Sequence, residues 1–181
     1  MHQLLLLRHA KSTWDDPKLA DHARPINARG KLSAAAMRAA MREMGLAPDL
    51  VLVSSARRTL QTLEALEPWD ETPLIEPMDA LYLASDTQML SVLHKVPETV
   101  RCVLLIAHNP GIHELSMTLV GAQGMSQDTQ TTRRLAEGYP TGALAVFSIA
   151  GPWSTLGEGG GRLLRFVAPR DLSGDLPELA V

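Results

Sequence analysis

Leu4-Leu5-Leu6-Leu7-Arg8-His9-Ala10 sets four consecutive leucines directly before a cation and a titratable ring. A short unbroken apolar run of this kind reads as a strand buried on both faces, the mark of a mainly parallel sheet covered by helices. Its carboxyl end is where open α/β sheets collect their ligands. One such strand end carries little weight, because an arginine there is as often a salt-bridge or cap residue. The arrangement, however, recurs twice.

Val51-Leu52-Val53-Ser54-Ser55 runs into Ala56-Arg57-Arg58. The serine pair is expected to cap a helix that begins near Ala56. Arg58 then falls in the first helical turn, at the positive end of the dipole, where a cation is misplaced unless an anion completes the site. Val103-Leu104-Leu105-Ile106-Ala107 likewise ends in His108-Asn109-Pro110-Gly111. Here Asn109 can cap and Pro110 suits the first helical position. Three strand ends that each bring Arg or His beside a helix N-terminus describe a pocket for a phosphate group.

Outward from these strands, the chain of 181 residues has the length of one domain with a sizeable core, and 45% of it is hydrophobic. A net charge of -3 offers no electrostatic reason to expect nucleic acid as a partner. The N-terminal leucine run is far short of the roughly 20 residues a membrane span needs, and it lacks a basic leader and a cleavage site. No membrane association and a cytoplasmic location are therefore expected. Cys102, the single cysteine, lies in an apolar strand and is expected to be inert and buried.

Strands are expected over residues 3–8, 50–54, 74–77 and 101–107, with helices over 30–45, 56–66, 86–95 and 110–120. Asp86 is a candidate for the cap of the third helix. Residues 121–140 are polar and weakly periodic, with 128–132 expected as a surface loop. Two β-rich runs, 143–149 and 163–168, flank a glycine-rich connection and read as an antiparallel hairpin. The expected fold is α/β, a single-domain three-layer α/β/α sandwich whose mainly parallel sheet ends in an antiparallel strand or hairpin. A catalytic domain over 1–169 and a loosely held tail over 170–181 complete the division. Gly157-Glu158-Gly159-Gly160-Gly161 lies between strands and not before a helix, so it reads as a turn and not a phosphate loop. His108 and His113 stand about 140° apart around a helix, a poor shared face for a metal. No metal and no cofactor are expected.

Three motifs make the chain resemble the histidine phosphatase superfamily, which has the phosphoglycerate mutase-like fold, and within it the short SixA-type phosphohistidine phosphatases. They are Leu-Arg-His-Ala-Lys-Ser at 7–12, Ser-Ser-Ala-Arg-Arg-Thr-Leu-Gln-Thr at 54–62 and Ala-His-Asn-Pro-Gly at 107–111. Arg-Pro-Ile-Asn-Ala-Arg-Gly at 24–30 resembles the family's connection into the first helix. The resemblance spans nearly the whole chain. It implies His9 as a nucleophile that becomes phosphorylated, Arg8 and Arg58 as forked donors to phosphate oxygens, and His108 as a donor to the transferring group. Asn109 is a further candidate for phosphate contact. Arg58 is chosen over Arg57 because it stands three residues before Gln61, as in the motif, and Arg57 is expected to point elsewhere. The cations around His9 would also hold its imidazole neutral.

Two departures from the wider family bear on substrate. Ala10 stands where glycine is usual, and it keeps a carbonyl able to hold the second imidazole nitrogen. No glutamate occupies the general-acid position. Asp79 is the candidate by placement, with a turn residue before Tyr82 as the other reading. An alkoxide leaving group needs protonation, whereas imidazole, with a conjugate-acid pKa of about 6.5, leaves far more easily. The segment 12–27 is also short for a lid. The expected activity is a metal-independent phosphatase acting on a phosphohistidine-containing protein. A small-molecule phosphomonoesterase acting on a small phosphorylated substrate, and a phosphate-binding module without catalysis, are the competing readings.

Overall fold

The computed structural model describes residues 1–175. A six-stranded sheet carries the order β3-β2-β4-β1-β5-β6. The strands are β1 (His2–Arg8), β2 (Leu50–Ser54), β3 (Leu74–Met78), β4 (Cys102–Ala107), β5 (Leu144–Ile149) and β6 (Gly161–Val167). The first four run parallel; β5 lies antiparallel to β1, and β6 antiparallel to β5. Five helices cover it: α1 (Ala28–Glu43), α2 (Arg57–Ala65), α3 (Asp86–Leu93), α4 (Gly111–Ser126) and α5 (Gln130–Glu137).

Side chains alternate across a strand, so the leucine run feeds both faces of the sheet. Leu4 and Leu6 join Leu52 and Leu105 under α3, α4 and α5, where Met89, Leu115 and Leu135 meet them. Leu5 and Leu7 join Val53 and Ile106 against Met37 and Met41 of α1 and Leu63 of α2. This is the three-layer sandwich expected of the sequence. β1 and β4 are in register from Gln3 opposite Cys102 to Arg8 opposite Ala107, which sets His9 and His108 just beyond adjacent strand ends.

Several local expectations need correction. The serine pair does not cap α2, whose N-cap is Ala56, with no side-chain hydrogen bond. Ser54 is instead part of β2, and its hydroxyl is engaged with His108. Asn109 does not cap α4 either; Pro110 occupies the cap position, and the Asn109 amide donates to the Tyr139 carbonyl at 3.0 Å. Ser85, not Asp86, caps α3, in a capping box with Gln88. The polar stretch after residue 120 is largely helical. Gly121 turns the chain at φ +67, a conformation open to glycine, and α4 resumes to Ser126. α5 follows, capped by Thr129. It buries only Thr132 and Leu135, and it is short and mostly polar.

The glycine-rich segment is a turn leading into β6. Cys102 is buried and its thiol is pushed up to about 12 by burial and the nearby Asp49 charge. Beyond β6, the tail does not simply hang off the domain. Pro169–Asp175 forms a 3-10 turn, Leu172 packs on the α1–α2 side of the core, and Asp171 pairs with Arg134 at 2.5 Å. Residues 176–181 of the expected tail lie outside the described residues. Among the described residues no helix is long and apolar enough to cross a membrane.

Candidate active site

At the carboxyl edge of β1, β2 and β4 lies a cavity of about 540 Å³, lined by Arg8, His9, Arg58, His108 and Asn109 together with Lys11, Ser12, Trp14, Asp21, Arg24, Leu83 and Thr141. The polar residues predicted from the three strand ends thus share one cavity. His9, Arg58 and His108 are nearly withdrawn from solvent, at 6%, 3% and 1% exposure. The rings of His9 and His108 are 5.3 Å apart.

Each side chain is positioned by its own motif. His9 Nδ1–H donates to the carbonyl of Ala10 at 2.8 Å, which leaves the Nε2 lone pair of the neutral ring available. The Ala10 amide is in turn held by Thr62 Oγ1 at 2.9 Å, and that hydroxyl donates to the Arg58 carbonyl at 2.7 Å. Gln61 Oε1 accepts the Ile26 amide at 2.9 Å. The Gln-Thr pair of the second motif therefore ties α2 to the end of β1 and to the connection before α1. Arg8 Nη1 and the Asn109 amide both donate to the Tyr139 carbonyl, at 2.9 and 3.0 Å. Gly111 lets the helix after His108 come close, since a Cβ there would lie 1.9 Å from the Ala84 carbonyl oxygen.

Arg57 and Arg58 part company as neighbours on a helix must, about 100° apart. Arg57 is exposed and reaches the Ala23 carbonyl at 3.4 Å, outside the cavity. Arg58 grips Asp21, with Nη1 on its backbone oxygen at 2.8 Å and Nη2 on Oδ2 at 3.0 Å.

Asp21 is the residue that the strand-end reading missed. Its carboxylate also accepts from Arg24 Nε at 3.0 Å and from the Tyr82 hydroxyl. A usable signal was present: Asp21 precedes Arg24 by three residues, a spacing that pairs side chains across one turn. Asp79, by contrast, begins the 3-10 turn Asp79–Leu81. That turn buries Leu81 and leaves Asp79 exposed, and Asp79 is not among the described residues that line the cavity.

The electrostatics follow from burial among cations. His9 is lowered to about 4, first by desolvation and then by the charges of Arg8, Arg58 and Arg24, against the opposing bond to Ala10. His108 is lowered to about 3, by desolvation, Arg58 and His9. Burial works against the Asp21 carboxylate, yet the Tyr82 hydroxyl and the Arg58 and Arg24 guanidinium groups outweigh it and hold the acid down at about 2. Arg8 Nε, Arg58 Nε, His108 Nδ1 and Asn109 Oδ1 are buried without a protein partner. Two neutral imidazoles and forked cations with spare hydrogen-bonding atoms can take a phosphoryl group in line with a ring nitrogen. Among the described residues no cluster of His, Cys, Asp and Glu has the makings of a metal site.

Comparison with known proteins agrees with this geometry. Residues 4–79 match the family model of the histidine phosphatase superfamily (branch 1). An uncharacterised protein of Mycobacterium tuberculosis is 32% identical over 167 residues, covering 91% of this chain and all of that one. The structure assigned as the phosphohistidine phosphatase SixA of Nakamurella multipartitia superposes with a TM-score of 0.81 at 28% identity, over 93% of this chain and 96% of that one. Its counterpart from Agrobacterium tumefaciens gives 0.78 at 29%, over 93% and 98%. The chain belongs to the histidine phosphatase superfamily, on its SixA-type branch, and is a phosphatase.

Proposed function

We propose that this phosphatase removes the phosphoryl group from phosphohistidine on a partner protein, through a covalent phosphohistidine on His9. The observation that carries the reading is the state of Asp21. It is the one carboxylate among the described residues lining the cavity, and two guanidinium groups and a phenol keep it ionised. A carboxyl held at about 2 has no proton to give an alkoxide. Imidazole needs far less help to leave.

In the first step the His9 Nε2 lone pair attacks phosphorus while the P–N bond to the substrate ring breaks. The bonding pair stays on the leaving nitrogen, and the ring departs neutral, with a solvent-derived proton on its other nitrogen. Arg8 and Arg58 offer N–H donors to the equatorial oxygens. Ser54 Oγ, 2.7 Å from His108 Nε2, also accepts the Ala56 amide at 3.3 Å, so its own proton is available to His108. The neutral His108 ring then carries hydrogen on Nδ1, the atom with no protein partner. Water next attacks the phosphorylated His9, returning the electron pair to Nε2 and releasing inorganic phosphate and a proton.

The test is a leaving-group series of a phosphohistidine peptide, aryl phosphates and phosphoserine. Rates should fall steeply as the leaving group becomes more basic, because missing general acid catalysis is worth about 10²–10⁴-fold. His9→Ala should abolish turnover while phosphate still binds, and Asp79→Asn should leave phosphohistidine cleavage within about twofold. Efficient phosphoserine hydrolysis that collapses in Asp79→Asn would overturn the proposal in favour of a small-molecule phosphomonoesterase.

A further inference from the structure

Trp14 and Leu83 are out of keeping with the rest of the cavity. They are 73% and 56% exposed, two of only five large apolar side chains so exposed among the described residues, yet both line this one cavity. Scattered exposed apolar residues need no explanation; two on one cavity do.

Neither is free to fold away. The Arg24 guanidinium carbon lies 3.4 Å from the centre of the Trp14 ring. Arg24 itself is 6% exposed and is fixed by Asp21, by Ser12 Oγ at 3.0 Å and by the Thr13 carbonyl at 3.3 Å. The Ser12–Ile26 bridge and the bond from the Thr13 amide to the Pro25 carbonyl hold the base of that loop. The indole is thus stacked on a rigid support with most of its surface in solvent. Leu83 follows Tyr82, which is locked to Asp21 and lies edge-on to the His108 ring at 5.6 Å. It precedes the buried Ala84. Leu83 has φ +49, a left-handed conformation that glycine adopts freely and leucine does not. The fold maintains a strained backbone here to present an apolar side chain that buries little of itself, a pattern that clusters at ligand sites.

We infer that Trp14 and Leu83 are specificity-determining residues that grip the flat ring of the leaving group. This rests on the reading of the cavity as the phosphoryl site. A leaving group is bonded to phosphorus, so it must occupy the same cavity as the phosphoryl group. The apolar part of that cavity is an indole and a leucine, which match the faces of an imidazole or phenyl ring and offer nothing to a polyol. Phosphohistidine and aryl phosphates present the same planar-ring chemistry.

The experiment is equilibrium binding by calorimetry, so that it does not depend on turnover. Phenylphosphonate, imidazole plus phosphate, and methylphosphonate are compared on the full chain, on Leu83→Gly and on Trp14→Ala. The inference expects phenylphosphonate to bind about tenfold more tightly than methylphosphonate, as suits partial burial of an apolar ring. Either substitution should erase most of that preference. Synergy between imidazole and phosphate, weakened in the same variants, would extend the grip to the imidazole ring. Absence of that synergy alongside phenyl preference would overturn the imidazole arm. Because Leu83→Gly relieves the left-handed strain, its melting temperature should stay level or rise. A ring preference that survives both substitutions, or a fall of several degrees in Leu83→Gly, would overturn the inference and make these residues structural. If ring preference holds while no phosphate ester or phosphohistidine is hydrolysed, the catalytic reading fails and the ring-binding assignment stands.

Discussion

The carboxyl edge of β1, β2 and β4 and the neighbouring flank, formed by the β5–β6 hairpin with α4 and α5, use the same residue types in opposite ways. On the hairpin flank the polar groups are spent on the protein itself. The Tyr139 hydroxyl donates to the Leu6 carbonyl at 2.5 Å and accepts the Ala145 amide at 3.1 Å. His113 donates to the Leu135 carbonyl at 2.7 Å, and Arg134 pairs with Asp171. At the strand edge, by contrast, four of the six unpartnered buried polar atoms among the described residues belong to Arg8, Arg58, His108 and Asn109. A buried polar group without a partner costs stability, so a natural fold keeps one where something else supplies the partner. The comparison separates polar residues whose hydrogen bonds are used up within the fold from those that keep hydrogen-bonding atoms to spare.

The largest effect that would break this comparison lies in the adjacent arginines. Arg58→Ala should lower kcat/KM by about 10²–10³-fold, the scale for losing a preorganised donor to developing charge. Arg57→Ala should stay within about twofold, being exposed and outside the cavity. Steady-state kinetics on an aryl phosphate decides it, and equal losses would mean that the two arginines act alike.

Acid should expose the cost of burying two imidazoles among cations at this edge. His9 has a folded pKa of about 4 against 6.5 unfolded, so between those values the unfolded chain binds more protons than the folded one. Stability is full above pH 6.5 and declines as pH falls, by about 3 kcal/mol at pH 4 from His9 alone. His108 acts in the same direction. Denaturant titrations of the protein and of His9→Asn across this range should show the decline shrink in the variant. Saturating phosphate should also protect the fold.

Tyr139→Phe sharpens the contrast from the other side. It strips partners from the Leu6 carbonyl and the Ala145 amide inside the sheet, which should cost about 2 kcal/mol of unfolding free energy. Turnover at a temperature where the variant is folded should change little, since that hydroxyl is committed within the core. A large kinetic loss with unchanged stability would show that the flank is not purely structural.

Much of the site was legible because its signals are local. Each strand is a short apolar run, each chemical residue follows within a few positions, and α/β strand ends converge at one sheet edge. Caps were less legible. Ser54 and Asn109 have the chemistry of N-caps, but a better-placed partner took each: the His108 ring in one case, the Tyr139 carbonyl in the other. α5 was hidden because it is short and mostly polar, with Leu135 its one large apolar residue.

Sequence alone determined the strands and their three chemically loaded ends, because those follow from periodicity within single segments, while the choice of Arg58 over Arg57 came from the resemblance to the family motif. Only the tertiary structure decided that Asp21, not Asp79, lines the cavity at the strand edge, and that Trp14 and Leu83 line it too. Asp21 meets Arg58 across 37 residues and Tyr82 across 61. No local propensity records such contacts. They exist because packing of α2 and of the turn before α3 against the sheet brings distant loops to one edge, where buried charge must find its partner.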